Sequence, residues 1–447
     1  MMNYKIKSLL VALVAFFAAQ TCDGQFYQGS NLDFGKNRVQ YREFEWYYYP
    51  TEHFEVYYYQ GGEQLAQYVL VSAEKNLKTI EKFYDYSIED KVQVLSYAKQ
   101  SEFRQSNIGI SNDDQYNIGG AARIMGSKMF VYYEGDHSSL EKQIREGLSK
   151  VVFNEMMYGG DWKDVVKSST LLSMPKWYEE GVISFSSTKE FPESENFMRD
   201  LVQKKKVGSI NRLEGRESKL VGHAFWRYIA EVYGENVIPN ILYMTRLSRN
   251  VESGFLFVLG LSLDTVTNDF IKYYKDKYSS VKSNSIPGYA PKPLKDATRA
   301  ELKAWKKMEK QLGALAVKYK KKYTYSQFEL SPDGKKMAFV TNEMGQYKIW
   351  IYDLEKEKLK RVLKREYKLD RLVDESFPVL TWHPSSEVLT YMYERRGRAF
   401  IGNYQLEEKK KIEKELFRIE KVIDIQYSRD GKKIVFSGVN KGRTDIY

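Results

Sequence analysis

A nine-residue string occurs twice near the end of this chain. Ser331-Pro332-Asp333-Gly334-Lys335-Lys336-Met337-Ala338-Phe339 returns as Ser428-Arg429-Asp430-Gly431-Lys432-Lys433-Ile434-Val435-Phe436, and the correspondence runs ungapped over twenty positions, through Gly345/Gly442 and Ile349/Ile446. A weaker copy lies between them: His383-Pro384-Ser385-Ser386, with Leu389, Tyr391, Gly397 and Ile401 in register. Each copy reads strand, Asp-Gly turn, strand, glycine turn, strand. The copies start 52 and 45 residues apart, which fits a four-stranded propeller blade. The pattern predicts an all-β region over 323–447. The Asp-Gly pairs are expected in type I′ turns, whose two central residues both need φ > 0.

The Ser-Pro-Asp-Gly-Lys-x-Ile-Ala-Phe signature of these copies resembles that of the Tol-type (TolB-like) periplasmic propeller family, over roughly the last quarter of the chain. A closed propeller needs at least four blades, and the text holds two and part of a third. Tyr447 aligns with Trp350 in mid-strand, so the expectation is that this sequence is a piece of a longer protein.

The other end reads as an export signal over 1–24: Lys5 and Lys7, an apolar run from Leu9 to Ala19, and small residues at Cys22 and Gly24. Cys22 is the only cysteine. Its upstream neighbours Ala19-Gln20-Thr21 fit a lipid-attachment motif poorly, and its removal with the signal leaves no thiol for disulfide, zinc or nucleophile. No later stretch reaches the 20 or so apolar residues of a membrane span; Phe255 to Leu263 comes nearest and reads as a core element. The chain of 447 residues is 43% hydrophobic and 15% aromatic, a globular composition with room for two or three domains.

Between these ends, residues 25–280 read as α+β. Phe54 to Tyr59 alternates as a half-buried strand, Glu63 to Phe83 carries an apolar helical stripe, and Lys91 to Tyr97 is a second strand. Ser138 and Glu141 form a capping box opening a helix that Gly159-Gly160 ends. Pro175 starts another, and later helices are expected from Gly222 to Tyr233 and Asp264 to Tyr278. Residues 281–322, with Pro287, Pro291 and Pro293, form a linker followed by a short charged helix.

On a zinc-peptidase helix, two histidines four apart hold the ion, the Glu after the first serves as general base, and a carboxylate on a nearby helix completes the site. Here the helix reads Arg145-Glu146-Gly147-Leu148-Ser149, followed by Pro175-Lys176-Trp177-Tyr178-Glu179-Glu180-Gly181. These segments resemble the gluzincin-like peptidase superfamily, in the manner of exported bacterial envelope proteins that join such a domain to a Tol-type propeller. The resemblance places Arg145 and Ser149 at the two imidazole positions, Glu146 at the general-base position and Glu180 at the third-ligand position. A guanidinium repels a dication and a serine holds zinc poorly, so no metal, cofactor or catalysis is expected. Among His53, His137, His223 and His383, no two share a helical spacing. Two internal pairings are expected instead: Glu146 with Lys150 at i,i+4, and Arg145 turned inward to Glu180 across the old metal position.

The net charge is +11. Its Lys/Arg runs, at Lys204–Lys206, Lys320–Lys322 and Lys409–Lys411, are interleaved with Glu and read as solvated faces, or as attraction to anionic lipid or polymer. No nucleic-acid module is recognisable. The fold expected is multidomain, a peptidase-like α+β domain followed by an all-β propeller. The function expected is binding or scaffolding in the periplasm or at the outer membrane, with envelope proteins or polypeptide segments as partners and peripheral membrane contact. An active zinc peptidase with unrecognised ligands and an envelope glycan-binding protein are the alternatives.

Overall fold

The computed structural model describes residues 40–41, 43–103, 105–106, 128–159, 172, 174–203, 210–279, 298–300, 302–303, 320, 322–368 and 376–447. These fall within one unit, Val39–Tyr447. The export signal with Cys22, the proline-rich linker and Lys204–Lys206 lie outside the described residues.

Four strands, β1 (Trp46–Pro50), β2 (Phe54–Tyr59), β3 (Val92–Tyr97) and β4 (Lys128–Tyr132), form a sheet in chain order. β1 runs antiparallel to β2, and the other pairs are parallel. The β2–β3 crossover is α1 (Glu63–Tyr84), whose buried Leu65, Val69, Ala73, Leu77 and Ile80 lie on the stripe read from sequence. One sheet face, with Phe54, Val56, Val92, Val94, Met129 and Val131, packs into the main core with the helices. The other carries an aromatic cluster: Trp46 stands edge-on to Tyr59 at 5.2 Å and to Tyr97 at 5.4 Å, and Phe103 stacks on Tyr132 at 5.2 Å. Many of the tyrosines are thus structural.

Helix α3 (His137–Tyr158) follows β4 after α2 (Gln100–Phe103). Its N-terminus corrects the expected capping box. Asp136 is the cap and accepts from the backbone N–H of Ser138 and Ser139, while Glu141 is taken by α1, accepting from Tyr68, Ser72 and Asn76 at 2.9–3.0 Å. Then come α4 (Lys176–Ser187), α5 (Pro192–Gln203), α6 (Gly215–Tyr233), α7 (Val237–Ser248), α8 (Val251–Leu259) and α9 (Leu263–Lys277). α6 starts seven residues before the expected Gly222. The run from Phe255 to Leu263 spans a break between α8 and α9; Phe255 is buried, but Leu256 and Phe257 are exposed. No single described helix is long and apolar enough to cross a membrane, although α8 and α9, bent by 76°, pass that test as a pair.

Helices α4 and α6 cross where glycine meets glycine. A Cβ on Gly222 would stand 2.0 Å from the Trp177 carbonyl oxygen, and one on Gly181 would stand 2.4 Å from the Gly222 carbonyl carbon.

The C-terminal part is three antiparallel sheets in succession. The first joins β5 (Thr324–Leu330), β6 (Lys336–Glu343), β7 (Gln346–Asp353) and β8 (Lys358–Arg365). The second joins β9 (Val379–Trp382), β10 (Val388–Arg395), β11 (Arg398–Gln405) and β12 (Lys410–Glu415). The third joins β13 (Lys421–Tyr427), β14 (Ile434–Asn440) and β15 (Arg443–Ile446). Each is a meander in chain order, as in consecutive propeller blades.

The repeat's turn chemistry is one side-chain device in the first and third copies and a variant of it in the middle one, and it corrects the turn type. Ser331 Oγ donates to Asp333 Oδ1 at 2.6 Å and accepts from Lys336 N at 2.8 Å, while Lys335 N donates to Asp333. Ser428, Asp430, Lys432 and Lys433 repeat this within 0.2 Å. In the middle copy, His383 Nδ1 stands in for the serine hydroxyl, 2.8 Å from Ser385 Oγ. Pro384 takes the place of Pro332, and Ser386, at φ 62°, takes the glycine position. Gly334 (φ 72°) and Gly431 (φ 71°) are left-handed but Asp333 and Asp430 are not. The loop is a turn with the aspartate centrally placed and the glycine closing it, with Gly334 N donating to Ser331 O. The type I′ pattern belongs to the next connection, where Met344-Gly345, Arg396-Gly397 and Lys441-Gly442 all have positive φ.

The second and third of those hairpin tips meet the α/β part. Lys99 Nζ donates to Gly397 O at 2.7 Å, Thr444 Oγ1 donates to Gly135 O at 2.8 Å, and Gly442 lies against Leu65. Val439 of β14 belongs to the main core.

The glycine crossing sets a test. Gly222→Ala drives a methyl into backbone and should cost about 1–3 kcal/mol, read as a lowered urea midpoint. Gly147→Ala meets the far end of the Met129 side chain, Cε 2.5 Å away, rather than backbone, and should cost clearly less.

Candidate functional site

Three helices bring the motif positions together. The buried face of α3 includes Glu146, Gly147, Leu148 and Ser149, opposite buried Trp177, Tyr178, Gly181 and Val182 of α4. The glycine crossing lays α6 close against α4, and this fixes which side chains reach the site.

Glu146, which the sequence resemblance assigned to a general-base position, is 4% exposed and pairs with Lys219 of α6, Nζ to Oε1 2.8 Å. The expected i,i+4 partner Lys150 is not the one chosen. Glu146 is buried between the helices, where the Lys219 ammonium of α6 meets it.

Ser149, which the resemblance assigned to the second imidazole position, is fully buried in a cluster of hydroxyls. Its Oγ is 2.8 Å from Tyr84 Oη and 2.5 Å from Ser186 Oγ, and it donates to Ile183 O at 3.3 Å. This satisfies the hydroxyl within the protein. Burial pushes the Tyr84 phenol well above its ordinary range.

Arg145 does not meet Glu180, which corrects the expected ion pair. Its Nε is buried without a hydrogen-bond partner, and its charge acts on Glu141 and Tyr68, on the α1 side. Glu180 instead accepts from Ser218 Oγ of α6 at 3.1 Å. Burial raises its carboxyl above the usual range, with Ser218, Lys150 and Lys219 opposing the rise. Glu146 and Glu180 thus each have a partner on α6, one residue apart.

Lys219 is the functional-position residue that motif spacing misses. It lies 73 positions from Glu146, and its only sequence signal is a cation set among the buried Ser218, Leu220, Val221 and Gly222 of α6. One turn on, His223 is buried with Nδ1 3.0 Å from Ser184 Oγ and its ring edge-on to Phe185 and Phe191. Burial pulls its pKa down to about 4, with Arg227 and Lys219 contributing. It is a neutral core residue. His137 packs against Tyr68 and Tyr133, and His53 pairs with Glu74 at 2.9 Å. Among the described residues, no three His, Cys, Asp or Glu side chains gather in a metal-holding group.

A concavity of about 860 Å³ opens elsewhere, at the joint between the α/β part and the sheets, lined by Glu63, Lys99, Arg398, Phe417, Arg418 and Lys441 among others. The repeat residues Ser331, Asp333, Gly334, Ser428, Asp430 and Gly431 serve their own turns. Hydrogen bonds from Ser331 and Ser428 hold the Asp333 and Asp430 carboxyls below the usual range.

These parts define a class: a mixed α/β body joined to consecutive antiparallel, blade-like sheets, with a lysine–glutamate pair where its central helices meet. Among solved structures the chain is similar to TolB from Acinetobacter baumannii, at 23% identity over 27% of this chain and 29% of that one, with a TM-score of 0.22. It is also similar to the β-propeller domain of the Trilobed protease from Pyrococcus furiosus, at 24% identity over 25% of this chain and 34% of that one, with a TM-score of 0.19. The chain thus spans only about a third of the length of either. Both overlaps are short, and the blade reading stands on strand order and turn chemistry. No family model matches the chain, and no curated protein does.

Two measurements check this site. Lys219→Ala strands Glu146 in a buried setting and should cost about 3 kcal/mol, most of it recovered in Glu146→Leu/Lys219→Met, by urea denaturation. For His223, the unfolded chain takes up a proton below about 6.5 that the folded ring refuses until about 4. Stability is therefore full above pH 6.5 and falls as the pH drops toward 4, by up to roughly 3 kcal/mol. The urea midpoint of His223→Gln should fall less steeply over that window.

Proposed function

We propose that the chain is a non-catalytic binding or scaffold protein of the bacterial cell envelope. In this reading the α/β part keeps a gluzincin-like peptidase frame whose metal position is occupied by protein groups. The observation that carries it is the Lys219–Glu146 pair, 2.8 Å long and buried on the glutamate side. The carboxylate that would take a proton from a metal-bound water is instead neutralised by an ammonium, and that cation also repels a dication. Arg145 adds a second positive charge, on α3 beside Glu146, and Ser149 is consumed by its hydroxyl cluster. Hydrolytic zinc needs three neutral or anionic ligands and an open position, and this donor set does not supply them.

Binding has a surface to use. The blade-like sheets present hairpin tips to the α/β part, and the cleft at that joint combines cations with the exposed Phe417, which suits an extended polypeptide segment. The envelope location rests on the basic and apolar text of the first 24 residues.

Elemental analysis and a peptidase assay test the reading together. Purified chain should carry well under one transition metal per molecule and show no chelator-sensitive cleavage of denatured protein. Stoichiometric zinc with such cleavage would overturn it in favour of a peptidase. Capture from envelope fractions that survives glycan digestion but not proteolysis supports a polypeptide partner; the reverse pattern replaces it with glycan binding.

A further inference from the structure

Residues directly opposite one another in an antiparallel pair share a face of the sheet. Lys360 of β8 stands opposite Ile351, and Lys411 of β12 stands opposite Tyr404. Ile351 and Tyr404 both belong to the core that the first two sheets share. Both lysines therefore point into the seam between those sheets, one from each side.

Tyr404 is their common neighbour. Lys360 lies over its ring, 5.0 Å from the centroid, and donates to its hydroxyl oxygen. The hydroxyl's own proton meets no acceptor among the described residues, and there Arg361 and Lys411 make no ion pair or side-chain hydrogen bond. The acids of the seam are already spent. Glu413 accepts from Arg365 Nη2 and from Tyr391 Oη, each at 2.9 Å, and Glu415 pairs with Arg398 at 3.4 Å. The Lys411 ammonium is held below its usual pKa by burial and then by Arg365, with Arg361 and Lys360 adding to the repulsion and Glu413 opposing it.

Lysines on edge strands deter edge-to-edge pairing, and that accounts for cations along β8 and β12. It does not account for two ammonium groups turned into one seam beside a hydroxyl with an unused proton. The unspent groups here are all donors, so the missing partner is an acceptor. A carboxylate offers its oxygens in one plane. A phosphate offers them at the corners of a tetrahedron, which suits donors carried by three different residues.

We propose that the seam at Tyr404 binds a phosphate-type oxyanion. Lys360 and Lys411 donate to its oxygens, the Tyr404 hydroxyl supplies a third donor, and Arg361 adds attraction. The inference stands apart from the metal-site reading, since it uses no residue of the helical part.

Calorimetric titration with inorganic phosphate, at fixed ionic strength, tests it. Phosphate should bind in about the millimolar range, and acetate at least tenfold more weakly. Lys360→Gln/Lys411→Gln should weaken phosphate binding at least about tenfold, while Lys272→Gln/Lys275→Gln, at exposed positions of α9, should retain it. Tyr404→Phe keeps the ring beneath Lys360 and should weaken binding severalfold. In phosphate-free buffer the urea midpoint of Lys411→Gln should be unchanged or raised, because a repelled charge is gone. Vesicles of phosphatidylcholine with about a third phosphatidylglycerol identify the source. Pelleting that Lys360→Gln/Lys411→Gln abolishes assigns the phosphate to a lipid headgroup, and phosphate binding without pelleting assigns it to a soluble ester. Circular dichroism checks that each variant is folded. Acetate binding as tight as phosphate, full phosphate binding by the folded Lys360→Gln/Lys411→Gln variant, or a lowered midpoint for Lys411→Gln would each overturn the proposal.

Discussion

Lys219 reaches Glu146 because two helices cross with no side chain between them. Gly181 and Gly222 let the α4 and α6 backbones touch, and the closeness of that crossing brings the adjoining turn of α6 within reach of α3. The ion pair is then a consequence of packing. A bulkier residue at either glycine would separate the helices and withdraw the ammonium from the carboxylate. The glycine after Glu180, which a motif reading treats as part of a ligand signature, has a purely steric reason to be there.

Around that crossing the polar groups are mostly closed upon themselves. Ser149 is satisfied by Tyr84 and Ser186, Glu180 by Ser218, and Glu146 by Lys219. A buried polar cluster of this kind rigidifies when each member is paired and is costly when one is left over. Arg145 is the exception, its Nε unpaired beside the Glu141 network of α1. The same economy holds in the blade-like sheets, where one hydroxyl and one carboxylate organise each turn. Substituting His383 and Ser385 for that pair keeps the geometry while changing both residue types.

Local structure was legible in the sequence because it depends on neighbours in the chain. The α1 stripe, β2, β3 and the repeat could be read from periodicity and turn residues, and even the imperfect His383 copy folds as its better-matched companions do. The misreadings share a cause. Glu141 looked like a capping residue and Lys150 like the partner of Glu146 because local rules rank near candidates first; in the fold Glu141 goes to Asn76 and Glu146 to Lys219, partners 65 and 73 residues away. The type I′ turn was assigned to Asp-Gly when it belonged to Met344-Gly345 and its equivalents, since both carry glycine and only backbone geometry separates them. The joint between the sheets and the α/β part had no local signal, resting on hairpin tips that meet residues some 300 positions away.

The proposed function turns on the Lys219–Glu146 pair standing between α3, α4 and α6 in place of a metal ion. Crystals grown with excess zinc and measured at the zinc absorption edge test it most directly. The account predicts Lys219 Nζ still within hydrogen-bonding distance of Glu146 and no anomalous scatterer between α3 and α4. A tetrahedral cation bridging Glu146 and Glu180, with Lys219 swung out to solvent, would contradict it.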